Sequence, residues 1–494
     1  MAPVGTPIPA RIRHLRAPAL ATAALLTPLL TASPASAATT GVTSYAQLTT
    51  AFSDANADTV RLDADIAYSW ETTHASGIVT NSHTLTLDLH GHTLSVFNVN
   101  ITPGTTLRIV DTGSAGTLRV TPDIYGGYAG IDTTGATLEI YSGTIIANGS
   151  ASGGAGIGSA AGHDAGTFRM LGGTVTATSG DWSAAIGGGE NGGAGSITIN
   201  GGTVTANGRG DGPGIGNGPH YAGDATASVN IMGGTVTATS STNRQRTFAV
   251  GGGNGASGVA LTVGAAATLT ISHDEKTWGL GGDVQNSRQW GSYAIAGTLI
   301  LDASVPIPAN ESISILPGGV VRGPGAFQKN PALGTGDATI YNDGTLLAHA
   351  DSSIVVAGNN FTVNFDANRS GATAVWPASL HIYAPTLADA GFILPSPPIA
   401  GSTLARGWNT DPNGRGTAFT AATVVTEDLT VYADWPLRGS LPPVGGNDDT
   451  STPTTTPTRV LAATGDTLSP TIALAALLAL LAGVALVLRR RTRA

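Results

Sequence analysis

The sequence contains GGTVTA three times, at Gly172–Ala177, Gly201–Ala206 and Gly233–Ala238, and a looser copy, SGTIIA, at Ser142–Ala147. Equivalent glycines in successive copies are separated by 30, 29 and 32 residues. A short word that recurs at such an interval is typical of a repeat architecture. Because polar and apolar side chains alternate in it, each copy predicts a short β-strand that follows a glycine turn.

Each copy lies within a longer unit. A short alternating segment precedes it, as at Leu138–Ile140 and Phe168–Met170. A segment of small residues follows it, as at Ala155–Ser159 and Ala184–Gly189. Each unit is therefore predicted to hold three short strands joined by turns. Because three such strands bury no core alone, the units are expected to stack and share one, as in a parallel β-solenoid.

Less regular segments such as Thr84–Val96 and Ser312–Gly323 extend this rhythm. The opening segment, Tyr45–Ile66, predicts a short capping helix and a first strand. The rhythm resembles that of pectate-lyase-like right-handed β-helix proteins, although it includes no catalytic signature of that family. We therefore expect an all-β chain with a right-handed parallel β-helix over residues 38–358.

Residues 359–436 follow a different pattern and are predicted to form a small β module. Its motifs are Phe365 with Asn368, Gly407-Trp408, a turn at Asp411–Gly414, and DLTVYADW at Asp428–Trp435. They resemble those of the Listeria–Bacteroides repeat, of the internalin B-repeat type, although Arg369-Ser370 replaces the usual glycine pair. The resemblance implies a stalk or spacer in a surface protein. Trp408 and Trp435 are expected to pack its core.

The N-terminus carries three arginines, then an apolar run over Ala17–Leu30, then Ala35-Ser36-Ala37. This order predicts a secretory signal peptide over residues 1–37, with Ala35 and Ala37 forming the small-residue cleavage site. The apolar run is too short to span a bilayer comfortably. We therefore expect export rather than an N-terminal membrane anchor.

The C-terminus predicts a second targeting signal. Residues 437–460 are rich in Pro, Thr and Gly and predict an extended linker. Residues 461–494 hold LAATG, an apolar stretch long enough for a transmembrane helix, and a basic tail. This order resembles the LPxTG sorting signal of Gram-positive surface proteins, in the alanine form of high-GC actinobacteria. The pentapeptide residues are Leu461, Ala462, Ala463, Thr464 and Gly465.

The resemblance implies that a sortase of class E type cuts between Thr464 and Gly465 and joins the chain to peptidoglycan. The mature chain, residues 38–464, would carry 16 basic and 31 acidic residues, a formal charge of −15. An acidic chain lacks the basic patches that bind phosphate, so nucleic acid is not an expected partner. The absence of cysteine excludes thiolate metal sites and cysteine nucleophiles.

Catalysis on a β-helix would need acidic side chains gathered on one face. The weak catalytic candidates of the regular coils all lie in predicted loops; they are Asp164, Asp181, Glu190, Asp211 and Asp224, with His163 and His220 nearby and Arg209 and Arg244 as possible bases. They occupy different places in their repeats, which favours solvated loop carboxylates. The Gly-rich words recur without a following helix, so they predict corners rather than a dinucleotide site.

His90 and His92 are predicted to alternate on one strand and face the same side, as two ligands of a metal site would. No third ligand is obvious in the sequence, so a packing or surface role in the first coils is expected instead. No cofactor is expected. The acidic loops permit calcium without indicating it. Tyr221, Trp278 and Trp290 are weak candidates for stacking against sugars, and Asp274–Lys276 with Trp278 form an exposed-looking cluster.

These observations favour a cell-wall-anchored surface protein that is a non-catalytic adhesin or a glycan-binding display scaffold. A solenoid side offers a long surface for repeated weak contacts. The first alternative is a cell-tethered polysaccharide lyase or glycoside hydrolase, and the second is a structural spacer. A clustered acid set would favour the enzyme, whereas a strip of aromatic residues would favour glycan binding.

Overall fold

The computed structural model describes residues 38–68, 77–80, 83–122, 126–223, 227–241, 247–273, 278–283, 288–302, 304–330, 335–383, 386–388 and 392–436. The predicted signal peptide, linker and sorting signal therefore lie outside the described residues, as do Asp224, Arg244 and Asp274–Lys276. No helix among the residues that the structure describes is long and apolar enough to cross a membrane.

The described chain is all-β apart from one helix, and its parallel strands stack in register. Each complete coil contributes one strand to each of three faces. The first-face strands are Thr39–Val42, Thr59–Leu62, Leu85–Asp88, Thr106–Val110, Thr137–Ile140, Thr167–Met170, Ser196–Ile199, the first parts of Ser228–Ser241 and Ala260–His273, Ser292–Ile295, Ser312–Ile315, Ala338–Asn342 and Ile354–Gly358.

The second face holds the strands that GGTVTA predicted. They are Ile66–Ala67, Thr93–Val96, Thr117–Val120, Thr144–Asn148, Thr174–Thr178, Thr203–Arg209, the second parts of Ser228–Ser241 and Ala260–His273, Thr298–Leu301, Val320–Arg322 and Thr345–Leu346. Two long strands therefore run through both faces and join them into one sheet.

The third face consists of very short strands. They are Ile78–Val79, Val99–Asn100, Ile131–Asp132, Ile157–Gly158, Ile186–Gly187, Ile215–Asn217, Phe248–Gly252 and Trp278–Gly281, followed by a separate group of Val305–Ile307, Ala326–Lys329 and His349–Ala350. All pairings within the three faces are parallel. This is a β-helix, and its connections are consistent with the right-handed form that the sequence predicts.

The corners between the first and second faces confirm the role predicted for the repeated glycines. Gly143, Gly173, Gly202 and Gly234 have φ between 79° and 88°. Only glycine adopts this backbone conformation at no steric cost. Past each corner the inward side chains form buried columns, such as Ile145, Val175, Val204, Val236, Leu269 and Leu299 on the second face. The coils therefore share one hydrophobic core.

The predicted capping helix is present at Tyr45–Ser53, and the Ser44 hydroxyl accepts a hydrogen bond from the Gln47 backbone N–H at its N-terminus. Leu48 and Phe52 are buried against the core of the first coils. The helix thus covers apolar side chains that would otherwise face water at the N-terminal end of the stack.

Residues 361–436 form a second hydrophobic core. Its strands are Phe361–Asp366, Ser379–Ile382, Trp408–Asn409, Ala418–Phe419 and Leu429–Ala433 in one mixed sheet, with a small hairpin of Ile399–Ala400 and Thr403–Leu404. Trp408 is buried and its indole N–H donates to the Pro395 carbonyl, while Trp435 is partly buried against the same core. Tyr383 packs against the β-helix core, and its carbonyl accepts from Asn342 Nδ2 at 3.3 Å.

Candidate functional site: a loop stack and an aromatic column

Three successive loops lie on one another at the ends of third-face strands, and we call them the loop stack (residues 159–166, 188–195 and 218–223). The Gly162 N–H donates to the Glu190 carbonyl at 2.7 Å, and the Asn191 N–H donates to the Pro219 carbonyl at 2.8 Å. Because of these bonds, successive loops stack in the same order as the coils. Loop side chains about 30 residues apart in sequence are therefore neighbours in space.

One pair in the loop stack carries complementary charge when the histidine is protonated. Glu190 Oε1 lies 3.6 Å from His220 Nδ1, and both side chains are partly exposed. The indole of Trp182 stacks on the imidazole, with ring centroids 5.8 Å apart and an interplanar angle of 29°. A carboxylate and an imidazole in reach of one another are groups that general acid–base chemistry uses.

The structure places the other acidic candidates in different surroundings. Asp164 Oδ1 accepts from the Gly193 N–H at 2.7 Å, so its loop position serves to hold the next loop. Asp211 is only 2% exposed and accepts from Asn254 Nδ2. Asp181 is exposed and adjoins Trp182. The loop stack thus brings Asp164, Glu190 and His220 to neighbouring loops, but it does not gather all the predicted carboxylates on one surface.

The three residues predicted to stack on sugars differ in their exposure and in their contacts. Trp290 is 1% exposed and packs edge-on against Phe248 and Tyr293, so the prediction that it stacks on sugars is wrong. Trp278 is partly buried against the β-helix core, with its ring 5.3 Å from that of Phe248. Tyr221 is partly exposed in the loop stack and stays a candidate.

The prediction that His90 and His92 alternate on one strand is also wrong. His90 and His92 lie in the turn between Leu85–Asp88 and Thr93–Val96, where His90 and Gly91 have φ of 47° and 82°. Their rings lie 6.4 Å apart and contact different partners, Thr112 Oγ1 for His90 and Asp65 Oδ1 for His92. Among the described residues there is no group of three or more His, Asp or Glu side chains that could hold a metal ion.

Sequence reasoning missed an aromatic column formed by Tyr68, Phe97 and Tyr128 at the corner between the second and third faces, with Tyr45 of the capping helix at its end. Successive ring centroids are 6.0, 6.0 and 5.9 Å apart. Phe97 is nearly buried, whereas Tyr128 is 47% exposed at the end of the column. Burial, with Tyr68 beside it, raises the pKa of Tyr45 above its usual range.

A signal for the column was present in the sequence. Its four residues are separated by 23, 29 and 31 residues, close to the repeat length, although no repeated word accompanies them. Because each coil adds one ring at the same corner, aromatic spacing at the coil period predicts a stack along the solenoid axis. Trp182 was missed because its ring contact depends on two loops meeting in space.

Comparison with known proteins identifies the repeat region. A family model described as a beta helix repeat matches residues 138–162, 171–190 and 197–219. The matched residues include the first part of each loop of the loop stack and two of the three GGTVTA copies, at Gly172–Ala177 and Gly201–Ala206. The chain therefore contains a β-helix repeat region, a kind of region found in surface adhesins and in polysaccharide-active enzymes.

Searches of the curated proteins and of the solved structures each found no match to the chain.

Proposed function

We propose that the chain is a cell-wall-anchored surface protein of a high-GC Gram-positive bacterium, and that it displays its β-helix as a non-catalytic, glycan-binding scaffold. The signal-peptide and sorting motifs of the sequence support the location. A sortase and peptidoglycan would be its partners during anchoring. The small β module, as an internalin-type repeat, would act as a stalk between the β-helix and the wall.

The aromatic column carries the proposal of glycan binding. Sugar rings present C–H groups that pack on the faces of Tyr and Phe rings, while phenol hydroxyls hydrogen-bond to sugar hydroxyls. Phe97 is buried, so the partly exposed Tyr45 and Tyr68 and the exposed Tyr128 offer such contacts, at more than one point along the column. A linear glycan that follows the solenoid axis would therefore make several weak contacts whose energies combine.

The experiment is a pull-down of the purified full chain with insoluble plant, fungal and bacterial polysaccharides. Tyr128→Ala should weaken retention about tenfold, because one exposed ring contributes roughly 1 kcal/mol or more at such a surface. Tyr341→Ala is the matched control, since Tyr341 is 51% exposed on the first face, far along the chain from the column. Equal retention of both variants, or none for the wild type, would contradict the proposal.

Anchoring is tested separately. In the native host, Thr464→Ala should leave the protein in the membrane fraction, whereas the wild type should be released from the wall by muramidase. Thr458→Ala, in the linker, controls for the substitution itself. Release of the Thr464 variant together with wall fragments would argue against a sortase cut at this site.

A cell-tethered polysaccharide lyase or glycoside hydrolase is the second candidate, and the pairing of Glu190 with His220 favours it. The same incubations should then give new reducing ends or unsaturated products, and Glu190→Gln should abolish them. Asp302→Asn is the matched control, because Asp302 is an exposed carboxylate outside the loop stack and outside the set of catalytic candidates. If the incubations give no product and no polysaccharide retains the chain, the result favours the structural spacer.

A further inference from the structure

The outward side chains of the second face form an unusually uniform column. Eight threonines pair in register on consecutive coils: Thr93, Thr117, Thr144, Thr174, Thr203, Thr235, Thr268 and Thr298. Neighbouring strands of a sheet are about 4.8 Å apart, so the hydroxyls and methyls of this column repeat at that distance. The β-branched side chain has few rotamers, which keeps the column ordered.

A second column runs beside the first. Two residues along each strand, Thr176, Thr205, Thr237 and Thr270 pair in register on four consecutive coils. The two columns are about 6.6 Å apart, because a strand rises roughly 3.3 Å per residue. We call these two columns, over residues 144–300, the threonine face; Ile146 and Ile300 end the second column. It is a two-dimensional array of hydroxyl and methyl groups.

The threonines of the threonine face are exposed or partly exposed. Among the described residues, no hydrogen bond involves the side-chain oxygens of Thr174, Thr176, Thr203, Thr205, Thr235, Thr237, Thr268 or Thr270. Each can therefore donate and accept one bond or more outside the chain. The face also lacks charge: Arg119 and Arg322 lie in the second column just beyond its two ends.

The neutral, flat and periodic surface of the threonine face limits the kind of partner that can bind to it. A charged polymer or headgroup would find no counter-charge here, and a single small ligand would find no concavity. A neutral, flat, periodic partner is complementary in charge and shape. Water in a crystal is such a partner, since each molecule both donates and accepts hydrogen bonds, and its surface repeats on the scale of a few ångströms.

We propose that the threonine face binds ice. The ordered hydroxyls and methyls would hold the first layer of water in positions that continue the crystal, and the rigid strands would lose little conformational freedom on binding. Many weak contacts formed at once would make attachment persistent although each contact is small. This activity is independent of glycan binding at the aromatic column, which lies on the earlier coils, over residues 45–128.

The test uses the purified full chain with a single seed crystal of ice in dilute buffer, and measures thermal hysteresis and crystal shape. The wild type should depress the growth temperature below the melting point and facet the crystal. Thr205→Lys, at the centre of the face, should reduce the hysteresis about tenfold, because a long charged side chain prevents simultaneous contact of the neighbouring coils.

The matched control is Thr198→Lys, on the same coil but outward on the first face. It should keep the wild-type hysteresis, and circular dichroism should show both variants folded. No hysteresis in the wild type, or equal loss in the two variants, would overturn the proposal. If Thr205→Lys instead abolishes retention on crystalline cellulose or chitin while ice growth is unaffected, the face binds a glycan crystal and the ice proposal is wrong.

Discussion

The first and second faces of the β-helix have similar inward side chains and different outward side chains. In the coil of residues 137–148, Ile140 and Ile145 both point inward and are fully buried. Outward on the first face, Glu139 lies between Arg108 and Arg169, with N–O distances of 3.0 and 3.4 Å. Outward on the second face, the same coil presents Thr144 and Ile146.

This difference separates what determines the fold from what recognises a partner. The inward columns and corner glycines recur on both faces because stacking requires them. The outward columns are free to vary: on the first face Arg108, Glu139 and Arg169 form an ion ladder over three coils, whereas the second face presents the neutral threonine face. Function on this scaffold should therefore be sought in the outward columns and loops rather than in the repeated word itself.

The largest loss of stability is expected when inward side chains are truncated. This loss should be equal on the first and second faces. Ile140→Ala and Ile145→Ala should each lower the free energy of unfolding by about 3 kcal/mol, from lost burial plus the cavity left behind. Urea unfolding followed by circular dichroism measures both. A difference of more than about 3 kcal/mol would exceed the spread expected for such substitutions and would contradict equivalent burial on the two faces.

A smaller loss of stability, which depends on salt, should distinguish the outward side chains of the first face from those of the second. Glu139→Gln should cost about 1 kcal/mol at low salt, because the Glu139 carboxylate is 10% exposed and contacts two arginines that are about half exposed and therefore screened. The cost should shrink as ionic strength rises. Thr176→Val on the second face is the control, and its stability should not depend on salt in this way. A salt-independent cost for Glu139→Gln would contradict the ion ladder.

The smallest effect is expected for outward threonines. Thr205→Val and Thr198→Val preserve shape and remove one solvent-facing hydroxyl on either face, so each should change stability by less than about 0.5 kcal/mol. Thermal unfolding detects this. A larger loss for Thr205→Val would show that its hydroxyl serves the fold, and would weaken any binding role for the face.

Much of the fold could be predicted because its physical causes are local and repeated. GGTVTA includes a turn that needs positive φ and a strand whose alternate residues are buried, and both recur at the coil period. The capping helix and the buried Trp408 followed from equally local motifs. The rhythm of Thr84–Val96 predicted a turn, but not that His90 belongs to it, because a non-glycine residue there adopts φ of 47°.

The candidate sites were less predictable because they depend on stacking between coils. The contact of Glu190 with His220 joins residues 30 positions apart, and loop stacking alone brings them together. Trp290 lies in a polar segment, a setting that favours an exposed aromatic residue, yet it is buried and packs against Phe248 and Tyr293. The alternating pattern predicts that these threonines occupy exposed strand positions. Only the structure shows that they pair in register across eight coils.

The in-register threonine face is tested most directly by engineered cross-links, since the chain has no cysteine of its own. Thr176→Cys with Thr205→Cys places two thiols on paired positions of neighbouring coils, where the Cα separation of about 4.8 Å permits a disulfide. Thr176→Cys with Thr237→Cys places them two coils apart, about 9.6 Å, beyond disulfide reach. Mass spectrometry after mild oxidation should find the intramolecular cross-link in the first pair and not in the second. Cross-linking of the second pair, or of neither, would contradict the stacked register on which the account rests.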